Sequence, residues 1–568
     1  MIMKIATVLI AAGLASLTPD PGAAPTKFDL AFATYLGGNS FDAARGICVD
    51  SAGNIIVVGG TSSTDFPTTE GAFCRHLTPA GPDVGRLGAT DVFVAKFSPK
   101  GELLWSTYLG GPNYDRAYSV DVDSHNRIFI SGRAGPGFPT TKGSFQPDYV
   151  DTFAQGSDVT RAEYGRQNGF VACMDSEGHL VWSSYVLSTQ LCRDITVDDA
   201  GDVYLVTTWN GNGPAPAPFA AGFRKASNLP GGSANKNQSG DTCVIKVKGD
   251  GSRILWGGWL GGSGQQQGEC MVRVNGAHEV YLLCTTTSTD LPFNPEDHGD
   301  HHFHGGPHDL YLAKVSADGE HLLYGTYLGG KGQELTDTHN LAIDKEGNAY
   351  VMTSTDSPDL PVSPGAFQPA LGGKSNAGLY KVGPDGRLLA CTYLGGSQNQ
   401  KVEGIAVSSN GNVYVTGTTI AIDFPVAGEP FQTAGSPPVP FDKDSVVTVS
   451  GYFSVMSNDF KKLIYSTYIG KGASIRGNTA FVNAFGGPHV CAVAPDGSLV
   501  AAGSWLTDGL PVKNAYQKNF VGGPMPTQLG DPNYTKHCDA AIVRFVPSSA
   551  SGESHRPSSH NEPTASHP

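Results

Sequence analysis

Short apolar runs, each cut off by a cluster of Gly, Pro, Asn, Asp or Ser, fill this chain from about residue 29 to about residue 546. In the first stretch they are Gly46–Asp50, Asn54–Thr61, Asp91–Phe97 and Leu103–Leu109. All are rich in Val, Ile, Phe and Tyr, which predicts four short β-strands. Tight turns are expected between the first and second runs (Asp50-Ser51-Ala52-Gly53-Asn54) and between the third and fourth (Ser98-Pro99-Lys100-Gly101-Glu102). Equivalent turns recur at Asp198–Asp202, Asp344–Asn348, Gly383–Arg387, Ser408–Asn412 and Ala494–Ser498. No helical periodicity interrupts the pattern.

The pattern repeats seven times. Its marker is an aromatic residue followed, in most copies, by Leu-Gly-Gly. The aromatic falls at Tyr35, Tyr108, Tyr185, Trp259, Tyr327, Tyr393 and Tyr468, a period of about 66 to 77 residues. A four-stranded meander cannot bury both faces alone. Stacking such sheets around an axis does so, and this predicts an all-β, seven-bladed propeller of four-stranded antiparallel blades. The last repeat offers three strands, Val490–Ala494, Leu499–Ser504 and Ala540–Phe545, and Asp29–Leu36 is the expected fourth. The N-terminal strand is therefore predicted to complete the last blade and close the ring, hiding an edge that would otherwise invite aggregation.

The repeat resembles that of the bacterial seven-bladed β-propeller repeat (SBBP) proteins. The resemblance rests on Tyr-Leu-Gly-Gly, on Gly46–Asp50, on Gly-Asn-Val-Tyr-Val-Thr-Gly at Gly411–Gly417 and on Thr-Asp-Phe-Pro-Thr-Thr at Thr64–Thr69, and it spans about residues 29 to 546. Repeats three, four and seven depart from it: Val186-Leu187 follow Tyr185, Trp259 replaces Tyr, and Ala473–His489 is an insertion. The resemblance implies a secreted propeller and no particular chemistry.

Composition adds bounds. The 568 residues divide into an expected leader (1–25), one propeller (26–547) and a Ser-, His- and Pro-rich disordered tail (548–568). Lys4 ahead of Ile5–Leu14 reads as a secretory signal, so a secreted, periplasmic or cell-surface location and a monomer are expected. A net charge of -14 with no basic stripe excludes a general nucleic-acid binder. Ten cysteines permit disulfides in an oxidising compartment. Cys270 with Cys284 across an inner hairpin, and Cys74 with Cys538 across the ring seam, are the two expected pairs.

Function belongs on one face. The connections from second to third strand are long, Arg133–Asn168 and Leu506–Cys538 among them, and they share a face with the blade-to-blade crossovers. The residue entering each inner strand should ring the channel mouth there: Arg45, Tyr118, Arg193, Cys270, His339, Glu403 and His489, with Asp42, Asp115, Arg116, Glu269 and Asp337 slightly earlier. Arg45, Arg116 and Arg193, with Glu269 and Glu403, are the ligand-binding candidates, because guanidinium forks suit carboxylate or sulfate. His339, His489 and Tyr118 are the groups able to move a proton. A second cluster, His298, His301, His302, His304 and His308 with Asp297, Asp300 and Asp309, is a candidate divalent-metal site, although its spacing matches no closed zinc motif. No Gly-x-Ser-x-Gly elbow, phosphate loop or His-Glu-x-x-His occurs. The leading reading is an exported propeller that binds a ligand, glycan or protein partner without catalysis. A lyase acting on an acidic polysaccharide is the runner-up, and a structural cell-surface module the third.

Overall fold

A computed structural model describes residues 25–548 except 83, 152–161, 187–188, 190, 210–240, 338, 436–445, 472–473, 477–485 and 524–537. Most of the expected leader, the tail, and parts of the blade-three, blade-six and blade-seven loops lie outside the described residues. Among the described residues there is no helix, and so none long and apolar enough to cross a membrane. Seven antiparallel sheets form the expected ring of blades. Blade one runs outward from the channel as Asp42–Val49, Ile55–Thr61, Asp91–Phe97 and Leu103–Leu109. Its second and third strands are buried along their whole length. Each sheet is covered on both faces by its neighbours, and this is why the strands read as unbroken apolar runs and not as alternation.

The tight turns have a local cause. Asp50 Oδ1 accepts hydrogen bonds from the backbone N–H of Ala52 and Asn54 at 3.0 and 2.8 Å, and Gly53 supplies the positive φ of 80°. The repeated tyrosine also has a definite task. Tyr108 donates its hydroxyl to Ser63 O at 2.7 Å and accepts from Phe66 N–H at 3.1 Å, pinning the long loop to the outer strand. The same clamp recurs at Tyr35, Tyr185, Tyr327, Tyr393 and Tyr468. Blade three, with Trp259 at this place, has no hydroxyl to make it.

The ring closes as expected. Phe28–Leu36 pairs antiparallel with Asp539–Pro547 outside Leu499–Trp505 and Gly487–Val493. Phe28 then packs its ring against Tyr414, Phe453 and Tyr465 of blade six at 6.1, 5.3 and 4.9 Å.

Three expectations are corrected here. Asp42 and Asp115 do not face the channel: each is buried at a crossover, where Asp42 accepts from Gly38 N–H and Ser63 Oγ, and Asp115 from the N–H of Gly111 and Gly135. They hold the Leu-Gly-Gly corner. Cys270 and Cys284 do stand directly opposite each other but are not joined by a disulfide; burial pushes both thiols up, and they serve as small apolar core residues. Cys74 and Cys538 are free as well, because each thiol is turned to a carbonyl, Cys74 to His76 O and Cys538 to Asp42 O, both at 3.2 Å.

Candidate functional site

Six inner strands carry a β-bulge near their start. The register shifts between Ala44 and Gly46, Ala117 and Ser119, Cys192 and Asp194, Gln266 and Cys270, Val402 and Gly404, and Pro488 and Val490. A bulge leaves a residue without a ladder partner and re-aims its side chain. The bulged residues are Arg45, Tyr118, Arg193, Glu403 and His489, all sequence-predicted. In blade four the bulge takes in Glu269, so Cys270 falls inside the ladder and leaves the ring. Blade five breaks altogether. Its inner strand is split into Glu334–Leu335 and Leu341–Ile343, and the freed segment carries Asp337 and His339, the latter at a φ of 61°.

These side chains converge across the channel. His339 reaches from blade five to the carbonyl oxygens of Arg45 and Tyr118, both 3.1 Å from Nε2, and lies 3.9 Å through Nδ1 from Asp194. Burial holds its pKa down. The imidazole thus fixes two bulges in place and roofs the remaining channel, a cavity of about 390 Å³ that opens to the other face past Val120, Ile405, Val490 and Arg273. Above it, Lys401 bridges Asp337 at 2.5 Å and Glu403 at 2.9 Å, and Arg45 meets Asp337 at 3.8 Å. Glu403 and His489 are fully buried and 3.3 Å apart. Burial pushes the Glu403 carboxyl up to about 8 against the pull of Lys401, and burial with the Arg45 and Lys401 charges holds the His489 imidazole well down. Each partner therefore disfavours its charge. Asp337 is the opposite case: burial opposes its ionisation, but Lys401, Arg45 and Arg193 outweigh this and hold it far below the ordinary carboxylate range.

Tyr118 sits at the centre of the cations. The guanidinium carbons of Arg193, Arg116 and Arg133 lie 4.7, 5.4 and 5.4 Å from its ring centroid. Burial raises its pKa, yet Arg133, Arg116, Arg193 and Arg45 together bring it down to about 8. Arg193 is paired to Glu269. Arg116 and Arg133 stand opposite each other in register, 5% and 2% exposed, and meet aromatic rings (Phe41 and Tyr118 for the first, Tyr164 and Tyr118 for the second). Among the described residues neither has a carboxylate at salt-bridge distance. Among the described residues the basin therefore sets five cations (Arg45, Arg116, Arg133, Arg193 and Lys401) against two ion-paired carboxylates, Asp337 and Glu269, a local excess of positive charge on an acidic protein.

Arg133, Lys401, Tyr114 and Tyr164 were not singled out from the sequence. Arg133 had a signal: the same place in the second strand is Gly60, Thr208, Thr285, Ser354, Thr418 or Ser504 in the other blades. Lys401 is the register equivalent of Arg116, facing Thr418 as Arg116 faces Arg133.

The His-rich loop does not assemble a metal centre. It lies along the outer strand of blade four, where Tyr327 N–H donates to Asp300 O at 2.7 Å, and its imidazoles go to separate partners. His301 binds Asp297 at 2.5 Å and stacks on Phe293, and His304 lies between Asp300 and Asp309 at 3.1 and 3.2 Å. His302 turns to Asp300 at 3.2 Å, His298 to Asp385 at 3.9 Å and His308 to Gln333 at 3.0 Å. The groups able to hold a metal among the described residues are elsewhere: Asp198, Asp199 and His278, and Asp318, Glu320 and His321. In the first, Lys246 already occupies Asp198 at 3.1 Å.

The model of the SBBP β-propeller repeat matches residues 104–138, 323–361 and 392–425. Three stretches of this seven-bladed propeller match the SBBP repeat. Each match runs from an outer strand across the crossover into the next blade, so the SBBP unit of sequence straddles two blades. No curated protein matches the chain. Similar solved structures include an ulvan lyase of a polysaccharide lyase family (10% identity, 84% of this chain and 93% of that chain, TM-score 0.38). They also include the quinohemoprotein alcohol dehydrogenase of Comamonas testosteroni (8% identity, 92% and 76%, TM-score 0.38). A third is the propeller domain of the trilobed protease of Pyrococcus furiosus (9% identity, 84% and 90%, TM-score 0.32). Likenesses this distant carry no argument about the chemistry of this propeller.

Proposed function

We propose that the long-loop face of this propeller binds an acidic ligand outside the cytoplasm, with a carboxylated or sulfated glycan as the class that suits it best. The observation that carries this reading is the Arg116–Arg133 pair: two guanidiniums buried side by side with no carboxylate between them among the described residues. Buried like charges are costly unless something compensates them, and an anion entering the basin does so. Planar guanidiniums fit carboxylate and sulfate edges, and a polymer could continue outward over the long loops. Arg45, Arg193 and Lys401 add to the field, while Asp337 and Glu269 hold them in place.

One observation favours a second reading, eliminative cleavage of an acidic glycan. A phenol brought to about 8 among guanidiniums has the acidity of a proton-transfer group. His339 does not serve that role, since its Nε2 is committed to two backbone carbonyls and it positions Arg45 and Tyr118 instead.

The test is retention of the protein on acidic and neutral polysaccharides, with unsaturated product followed by absorbance in the same samples. Retention on acidic polymers alone, lost on replacing Arg116 and Arg133, supports the binding reading. Product formed by the wild type and abolished in Tyr118→Phe would move the protein to the lyases. Equal retention on neutral polymers would contradict both.

A further inference from the structure

Four arginines surround one phenol in the basin, and this has a consequence for how a ligand is held. Arg116, Arg133 and Arg193 press on the ring of Tyr118, and Arg45 lies on the neighbouring bulge, tied to Tyr118 through His339. Tyr118 is 4% exposed, so its ring and hydroxyl lie within the basin and not on its rim. Among the phenols that touch the Arg116–Arg133 pair, it is the one whose ring both guanidiniums meet. We propose that the Tyr118 hydroxyl and an anionic ligand compete for the same guanidinium charge, so that ligand binding and ionisation of Tyr118 exclude one another. The proposal rests on the anion-binding reading above and adds its regulation by pH.

The surrounding groups support the exclusion. The cations facing Tyr118 are the four arginines, and their pull brings its acidity into the accessible range despite burial. The other phenols in contact, Tyr114 and Tyr164, are both raised, chiefly by burial, so they keep their protons there. Glu269 on Arg193 and Asp337 on Arg45 are already ion-paired and supply fixed negative charge. His339 touches only the Tyr118 carbonyl, and His489 is held uncharged. Glu403, on the far side of Lys401, titrates in the same window but gives no phenolate signal. An ionised Tyr118 is thus an internal stand-in for the ligand's charge. A bound anion neutralises the guanidiniums and returns Tyr118 to the phenol form, in which it can donate a hydrogen bond to the ligand. By linkage, the anion must raise the Tyr118 pKa by as much as ionisation weakens the anion's affinity.

Sulfate serves as the probe, with chloride at matched ionic strength as the control. Phenolate absorbance of the full chain is titrated for wild type and for Tyr118→Phe, with and without sulfate, and sulfate binding is measured across the same pH range. The expected result is a single-tyrosine step near pH 8 in the difference curve, moved to higher pH by sulfate. Sulfate affinity should fall about tenfold more per pH unit above the step in wild type than in the Phe variant, where only Glu403 still titrates in that range. Arg133→Thr, which returns the residue type of other blades, should move the step towards the ordinary tyrosine range and guards against a misfolded Phe variant. Sulfate bound in the basin with no movement of the step, or with the same pH dependence in Tyr118→Phe, would overturn the inference and leave the anion site standing. No sulfate bound at any pH would overturn both.

Discussion

Arg133 shows how a single residue turns a packing position into a binding one. Its neighbours in the second strand, Ile128-Phe129-Ile130-Ser131-Gly132, are an ordinary buried run, and the other blades hold Gly, Ser or Thr at its place. Placing a guanidinium there, against Arg116, costs stability that the empty basin does not return. Arg133→Thr should therefore leave the melting temperature unchanged or raise it, while weakening retention of an acidic ligand by tenfold or more, in line with about 1.5–3 kcal/mol for a charge-assisted contact. Thermal melts beside retention assays check this, and a large loss of stability would mean that Arg133 is structural. The aromatic marker residues behave in the opposite way: their hydroxyls clamp the long loops, so Tyr108→Phe should cost about 1–3 kcal/mol in a melt and leave binding intact, since Phe66 N–H and Ser63 O lose a buried partner.

At the scale of elements, the seam and the bulges matter most. Phe28–Leu36 is the one outer strand that comes from the other end of the chain, and Phe28 anchors it on blade six. Phe28→Ala should cost about 3–5 kcal/mol and raise aggregation through the exposed edge, measurable by denaturant melts with light scattering. Strands and closure were legible in the sequence because turn residues punctuate every blade and the incomplete last repeat names its missing strand. The bulges were not. A bulge differs from regular strand by one unpaired residue, and hydrophobic periodicity carries no mark of it, which is why Cys270 was placed where Glu269 stands. The broken inner strand of blade five was equally hidden, for Glu334–Ile343 has the composition of its counterparts and is interrupted where His339 adopts a positive φ and the Asn340 side chain donates to Glu403 O. The His-rich loop failed for a related reason: proximity in sequence was not convergence in space.

For the whole molecule, the buried carboxyls govern the response to pH. Burial raises Asp42 to about 8, and Asp91, Glu334 and Asp539 to about 7, with Glu403 at about 8. Each keeps a proton in the fold that the unfolded chain has released above about 4, so each contributes stability that is lost as pH rises through its folded value. Four groups run the other way: His489, His339, His308 and Tyr118. The three imidazoles, held towards the uncharged form, cost stability only below about 6.5, and Tyr118, lowered to about 8, favours the fold above that pH but is one group against five. The melting temperature should therefore be higher near pH 6 than near pH 8.5, and the reverse order would show that these acids are ionised in the fold. The same geometry that buries them leaves the cations of the basin in excess, and that excess is the central claim. It is tested most directly by a crystal structure of the protein with an acidic oligosaccharide. The account predicts a carboxylate or sulfate group bonded to Arg116 and Arg133 above the ring of Tyr118, on the long-loop face. An acidic group bound on the opposite face or on the outer rim, with Arg116 and Arg133 untouched, would contradict it.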